Sequence, residues 1–253
     1  MVPRCAGRDD SHCAPGSTSH PSPRLLLTTN STVKHPSGIP EKIVSKVVAR
    51  RGRLHAFEFL DPNRTALVAI DLDAATIGGS DDSCRRIISV VNRLAGATRI
   101  AGGTVAWVLS HQPVLSPVSI AILGEATATE HYRRSRPGGP GLELWHEVDH
   151  HNEDLRASKT GASAFFPGKC DLHEQLQERC IDTLLIAGVV TNICCESSAR
   201  DAVELGYRVV MVSDALNGHA HGLHEATLST FYRIFGDVRP SVEIEALLNN
   251  VSR

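Results

Sequence analysis

Between Thr183 and Ala202 the chain changes character within a few residues. Thr183-Leu184-Leu185-Ile186-Ala187 is a short apolar run of the kind that fills a parallel strand buried on both faces. Gly188 breaks it, and Thr191 and Asn192 follow, residue types that cap helix starts by accepting a bond from a free backbone N–H. A helix is predicted to run on to Leu205, with Gly206 where a C-terminal cap belongs and Glu196 four residues before Arg200 on one face. Cys194 therefore stands where a strand hands over to a helix. Unpaired N–H groups at such an end favour a thiolate, so this cysteine is predicted to ionise readily and to be a nucleophile.

The same strand signature recurs. Ala66-Leu67-Val68-Ala69-Ile70 is apolar and ends abruptly in Asp71; Thr104-Val105-Ala106-Trp107-Val108-Leu109 ends near Ser110 and His111; Arg208-Val209-Val210-Met211-Val212 ends at Ser213-Asp214. Between and after them lie helical patterns over Glu41 to Arg51, Ile87 to Leu94, Asp171 to Glu178 and Leu223 to Phe235. Lys159 to Phe166 reads as a short strand or loop, and residues 111 to 145 as an irregular stretch, a pocket wall or lid. Alternating buried strands and helices imply a parallel sheet covered by helices. Ligands bind such sheets at the carboxyl ends of the strands, where Asp71, Ser110 or His111, the Val190–Cys194 turn and Asp214 should converge.

Residues 1 to 38, rich in Ser, Pro, His, Gly and Thr, read as a disordered extension, leaving residues 39–253 as a single domain. A net charge of −2 points away from nucleic acid and anionic membranes. No apolar run approaches the ~20 residues of a membrane span, and no secretory core follows Met1. Seven cysteines scattered along the length do not read as a disulfide framework, so a cytoplasmic protein is expected. Neither Cys5, His12, Cys13 and His20 nor His219, His221 and His224 reads as a metal site. Gly-rich phosphate loops and a Gly-x-Ser-x-Gly elbow are missing, which disfavours nucleotide binding and a serine hydrolase.

Three anchors in order give the chain a resemblance to the isochorismatase-like cysteine hydrolases over roughly residues 60 to 240. They are Ile70-Asp71-Leu72, the run from Lys159 through Ser163-Ala164-Phe165, and Gly188-Val189-Val190-Thr191-Asn192-Ile193-Cys194. The Cys194-Cys195-Glu196-Ser197 continuation, with the flanks Arg50–Phe57 and Tyr232–Val238, resembles the ureidoacrylate amidohydrolase branch. The resemblance implies a three-layer α/β/α sandwich around a mostly parallel, Rossmann-like sheet of about six strands, assembled as a homo-oligomer (dimer or tetramer). It implies a Cys194–Asp71–Lys159 triad, with Asp71 as proton acceptor and Lys159 as the adjacent positive charge. A cis Val189–Val190 peptide would direct the Val190 N–H, with that of Cys194, into an oxyanion hole. Such an enzyme cleaves a C–N bond of a small amide, ureide or carbamoyl compound through a thioester, with no cofactor. Each residue has a plainer alternative: Cys194 as an inert thiol, Asp71 as a helix cap, Lys159 as a solvated loop charge. Cys195 is expected to be a packing cysteine.

Asp73 departs from the family, whose members often carry Gln there. Two carboxylates facing one pocket would raise one pKa and favour a substrate with N–H donors. Asp73, Phe165 and Asn192 are the candidate substrate contacts. No metal is expected, because His111-Gln112-Pro113 lacks the Asp-x-His of metal-holding nicotinamidases. Two other functions fit the same residues: isochorismatase-type cleavage of a vinyl ether by proton transfer from Asp71, and a non-catalytic binding homologue.

Overall fold

The structure, a computed structural model, describes residues 34–79, 82–112, 114–218 and 220–249. Six strands carry the fold: β1 (Thr65–Ile70), β2 (Thr104–Ser110), β3 (Leu155–Lys159), β4 (Thr183–Val189), β5 (Arg208–Asn217) and β6 (Asp237–Arg239). They form one sheet in the order β3-β2-β1-β4-β5-β6, and every neighbouring pair is parallel. The order reverses between β1 and β4. At such a reversal successive crossovers leave toward opposite edges, which is where sheets of this kind bind ligands beyond the strand ends.

Alternate strand residues serve opposite layers. Ala66, Val68 and Ile70 of β1, with Leu184 and Ile186 of β4, pack against α1 (Glu41–Arg51), α6 (Leu172–Glu178), α7 (Glu196–Glu204) and α8 (His221–Ile234). Leu67 and Ala69, with Leu185 and Ala187, pack against α3 (Asp82–Ile100) and α9 (Ser241–Asn249). This is the three-layer α/β/α sandwich. All residues of β1 and β4 are buried, which is why each reads as an unbroken apolar run. Gly188, at φ +113°, has no substitute: a Cβ there would collide with the Ile70 carbonyl of β1.

Beyond this core the structure differs from expectation or adds to it. The 111–145 stretch holds α4 (Pro117–Leu123) and α5 (Glu125–Ser135) and is not irregular. Helix α4 starts on a Ser116 cap with Pro117 in its first turn and buries no residue, and α5 is polar, with Glu130 paired to Arg133 and Arg134. The apolar residues of α4, Val118, Ile122 and Leu123 among them, stay exposed, so neither helix has the one-sided pattern of a buried face. Strand β3 ends at Lys159, the segment from there to Phe166 is a loop, one of the two forms expected, and β6 has three residues. A one-turn helix, α2 (Ala74–Gly78), follows β1. Packing also begins ahead of residue 39: His35 is buried, edge-on to Tyr232 with ring centres 4.6 Å apart. The remainder of the expected disordered extension, with Cys5, His12, Cys13 and His20, lies outside the described residues. Among the described residues no helix is long and apolar enough to cross a membrane.

The Arg50–Phe57 and Tyr232–Val238 flanks pack on one another. Asp237 accepts from the Ala56 N–H at 3.0 Å and lies 3.1 Å from His55 Nδ1, and the Tyr232 hydroxyl donates to the Leu54 carbonyl at 2.7 Å.

Candidate active site

Three neighbouring strands deliver three polar side chains to one point. Asp71 follows β1 at φ +55°, and its N–H continues the ladder by donating to the Val108 carbonyl at 2.8 Å. Ser110 ends β2 and Lys159 ends β3, and the register pairs these two directly. Lys159 is 1% exposed, so its ammonium must find partners inside the protein. It lies 2.9 Å from Asp71 Oδ2 and donates to Ser110 Oγ at 2.7 Å and to the Gly161 carbonyl at 3.3 Å. The Ser110 hydroxyl donates onward to Asp71 Oδ1 at 2.9 Å. Burial works against the ammonium, but Asp71 and the Cys194 sulfur outweigh it and hold Lys159 above its ordinary value.

The fourth group arrives from β4. The Val189–Val190 peptide is cis, and residues Thr191–Cys195 form a π-turn ahead of α7. Cys194 Sγ comes to 3.4 Å from Lys159 Nζ, and the Asp71 carboxylate lies near enough for its charge to bear on the thiol. Helix α7 is tied to the segment after β3, because Ser198 Oγ donates to the Cys194 carbonyl at 2.6 Å and accepts from the Ala164 N–H at 2.9 Å. Cys195 is fully buried, its sulfur 4.0 Å from the Ala187 carbonyl, as a packing cysteine should be.

Two expectations about this turn are overturned. Thr191 caps no helix: the N-cap position of the π-turn is Val190, and Thr191 Oγ1 lies 2.9 Å from His224 Nδ1 on α8 instead. Nor does the thiol ionise readily. Burial first, and then the Asp71 charge, push Cys194 up to about 12, with Lys159 pulling only partly the other way. The resting group is therefore a thiol, with the Asp71 carboxylate and the Lys159 ammonium beside it.

The candidate substrate contacts lie at different depths. Asp73 is 2% exposed and caps α2, with Oδ1 accepting from the Thr76 N–H at 2.8 Å and Oδ2 from the Thr76 hydroxyl at 2.9 Å. Burial, and to a lesser degree Asp71, raise it to about 6. Phe165 is buried against Tyr207, ring centres 5.7 Å apart, and Asn192 is half-buried in the π-turn. Asp214 caps α9 through Ser241, from which it accepts at 2.7 and 2.6 Å. Arg200 pairs with Glu196 at 2.6 Å, not with Asp201, and lies over the Phe235 ring. His221 pairs with Glu225 at 3.2 Å, and His219 lies outside the described residues. Among the described residues no group of three or more His, Cys, Asp or Glu could hold a metal ion. Ser110 escaped assignment in the sequence, where only its strand-end position marked it.

A family model, the Isochorismatase domain, matches residues 65–242, a span that includes all four of these groups. The chain belongs to the isochorismatase family. That makes it a hydrolase with, in sequence, relatives of similar length. The isochorismatase family protein YwoC of Bacillus subtilis (strain 168) is 30% identical over 191 residues, 73% of this chain and 94% of its own. Ureidoacrylate amidohydrolase RutB of Variovorax paradoxus (strain S110) is 28% identical over 221 residues, 78% of this chain and 84% of its own. A crystal structure of a cysteine hydrolase from Pseudomonas syringae pv. phaseolicola 1448A superposes with a TM-score of 0.69 at 22% identity. It covers 78% of this chain and 98% of its own, a likeness of fold.

Proposed function

We propose that this isochorismatase-family protein is a cysteine amidohydrolase that cleaves a C–N bond of a small linear amide, ureide or carbamoyl compound. The observation that carries the reading is the meeting of one half-buried thiol, one carboxylate and one ammonium, with Lys159 Nζ 2.9 Å from Asp71 and 3.4 Å from Cys194. The similarity to a ureidoacrylate amidohydrolase supports the bond type.

A thiol pushed up to about 12 is almost wholly protonated at neutral pH and needs a base at the moment of attack. Asp71, whose charge bears on the thiol, takes that proton as sulfur closes on the substrate carbonyl carbon. Lys159 stays charged and offsets the negative charge developing on sulfur and carboxylate. The N–H groups of Val190 and Cys194 are assigned to the oxyanion, each such donor being worth roughly 3–4 kcal/mol of barrier. Asp71 returns its proton to the leaving nitrogen, which departs as ammonia or an amine, and water then hydrolyses the Cys194 thioester. Asp73, Phe165 and Asn192 are assigned to the pocket wall. The family resemblance also favours a homo-oligomer, dimer or tetramer, which light scattering on the purified protein reads.

The test is ammonia release across a panel of ureides, carbamoyl amino acids and nicotinamide, with acid-quench mass spectrometry of the Cys194 peptide. A thioester mass on Cys194 is expected. Turnover of isochorismate without such an adduct would assign the site to vinyl-ether cleavage. Full amide hydrolysis by Cys194→Ala would remove the proposed nucleophile.

A further inference from the structure

The Ser110 hydroxyl closes a ring: it accepts from Lys159 Nζ at 2.7 Å and donates to Asp71 Oδ1 at 2.9 Å, while the same ammonium lies 2.9 Å from Asp71 Oδ2. We propose that Ser110 is a positioning residue of the reaction, which keeps Asp71 ionised and its carboxylate turned so that one lone pair faces the Cys194 thiol. The inference rests on the amidohydrolase reading of the site.

The donor count supports it. Lys159 has three ammonium protons for Asp71 Oδ2, Ser110 Oγ, the Gly161 carbonyl and the Cys194 sulfur. It cannot serve both carboxylate oxygens and the remaining acceptors at once. Ser110 relays one of these bonds to Oδ1, so each oxygen of Asp71 has a donor from the β2–β3 side. The carboxylate plane is thereby fixed by two bonds from adjacent strands. A hydroxyl suits the place, because it accepts from a cation and donates to an anion within one group. Alanine could do neither, and an amide or acid would bring bulk into a site where Lys159 is 1% exposed.

The charged and titratable groups around Asp71 are Lys159 from β3, Cys194 and Cys195 from the turn after β4, and Asp73 from the start of α2. Of these only Lys159 carries positive charge. Losing the Ser110 donor would therefore leave Asp71 harder to ionise, since a bond to the charged form favours that form.

The experiment follows alkylation of Cys194 by iodoacetamide against pH, read at the Cys194 peptide by mass spectrometry, and needs no known substrate. The wild type, Ser110→Ala, and the shape-matched pair Ser110→Thr and Ser110→Val are compared. In the wild type the rate should rise along an acid limb as Asp71 ionises. In Ser110→Val and Ser110→Ala the midpoint of that limb should move up by about one pH unit, the shift that loss of one hydrogen bond to a carboxylate produces. Ser110→Thr, which keeps the hydroxyl, should return the midpoint to the wild-type value. Lower rates at every pH with an unmoved midpoint, in whichever of Ser110→Val and Ser110→Ala folds, would overturn the proposal and leave Ser110 a packing residue. A wild-type rate that rises only with the thiol's own ionisation would instead remove Asp71 as base. That result would overturn the amidohydrolase mechanism together with the role of Ser110.

Discussion

Asp71 and Asp237 are both buried, ion-paired carboxylates, and they are built for different ends. Asp237, at the start of β6, is fully buried and accepts from the backbone N–H groups of Ala56, Phe57 and Val238, with His55 at 3.1 Å and Arg239 at 3.5 Å. Burial alone would raise it, but His55 and Arg239 overcome that and hold it below the usual carboxylate range. Its donors are mainly backbone amides, which do not give up protons, and they bind two distant segments together. Asp71 has fewer partners, and one of them is a thiol. The same residue type is a fastener where every donor is fixed and a base where one donor can part with its proton.

The sharpest way to break this contrast is at the nucleophile. Cys194→Ala should lower amide hydrolysis by roughly a thousandfold or more while leaving the melting temperature within a few degrees of wild type. Asp71→Asn should cost roughly 10²–10⁴ in kcat per folded molecule and, because it leaves the buried Lys159 ammonium without its carboxylate, should also lower stability, so kcat is what separates it from Asp237→Ala. The latter removes one side of a buried ion pair and should destabilise by about 3–5 kcal/mol in urea titrations, with kcat per folded molecule unchanged. If the two substitutions exchanged these effects, the contrast would be wrong.

The pH dependence separates them further. A depressed carboxylate stabilises the fold above its ordinary pKa, so the Asp237 contribution should be complete above about pH 4 and lost as pH falls further. Asp73 runs the other way. Raised to about 6, it is protonated in the fold before it is protonated in the unfolded chain, so acidification from about pH 6 to about pH 4 should add stability. Asp73→Asn keeps a capping oxygen for Thr76 and removes the buried charge. It should stabilise by about 1–3 kcal/mol at neutral pH and flatten the profile in that window. Thermal melts of both proteins over that range check it.

Much of this was legible in the chain. Four strands buried on both faces announce themselves as apolar runs, and the abrupt carboxylate after Ile70 marks a strand end. Lys159 was identified only through its Ser-Ala-Phe context, because β3 is five residues long and alternates between buried and exposed side chains. Helices α4 and α5 were hidden because they bury little. The role of Ser110 could not be read, since a serine becomes informative only when register sets Lys159 beside it. The thiol's resistance to ionisation is hidden for a related reason: a helix start is visible in sequence, whereas the depth of a sulfur and its nearness to a carboxylate are not.

The left-handed backbone at Asp71 carries a consequence for how such proteins diverge. Few residues other than glycine settle at φ +55°, and asparagine and aspartate are the chief exceptions. Asparagine and glycine are each a single base change away from aspartate, and neither can accept a proton as a carboxylate does. The easiest replacements at this position therefore preserve the scaffold and silence the chemistry. A lineage can shed catalysis here in one step and keep an intact crevice, ready to be selected for holding a ligand it no longer cuts.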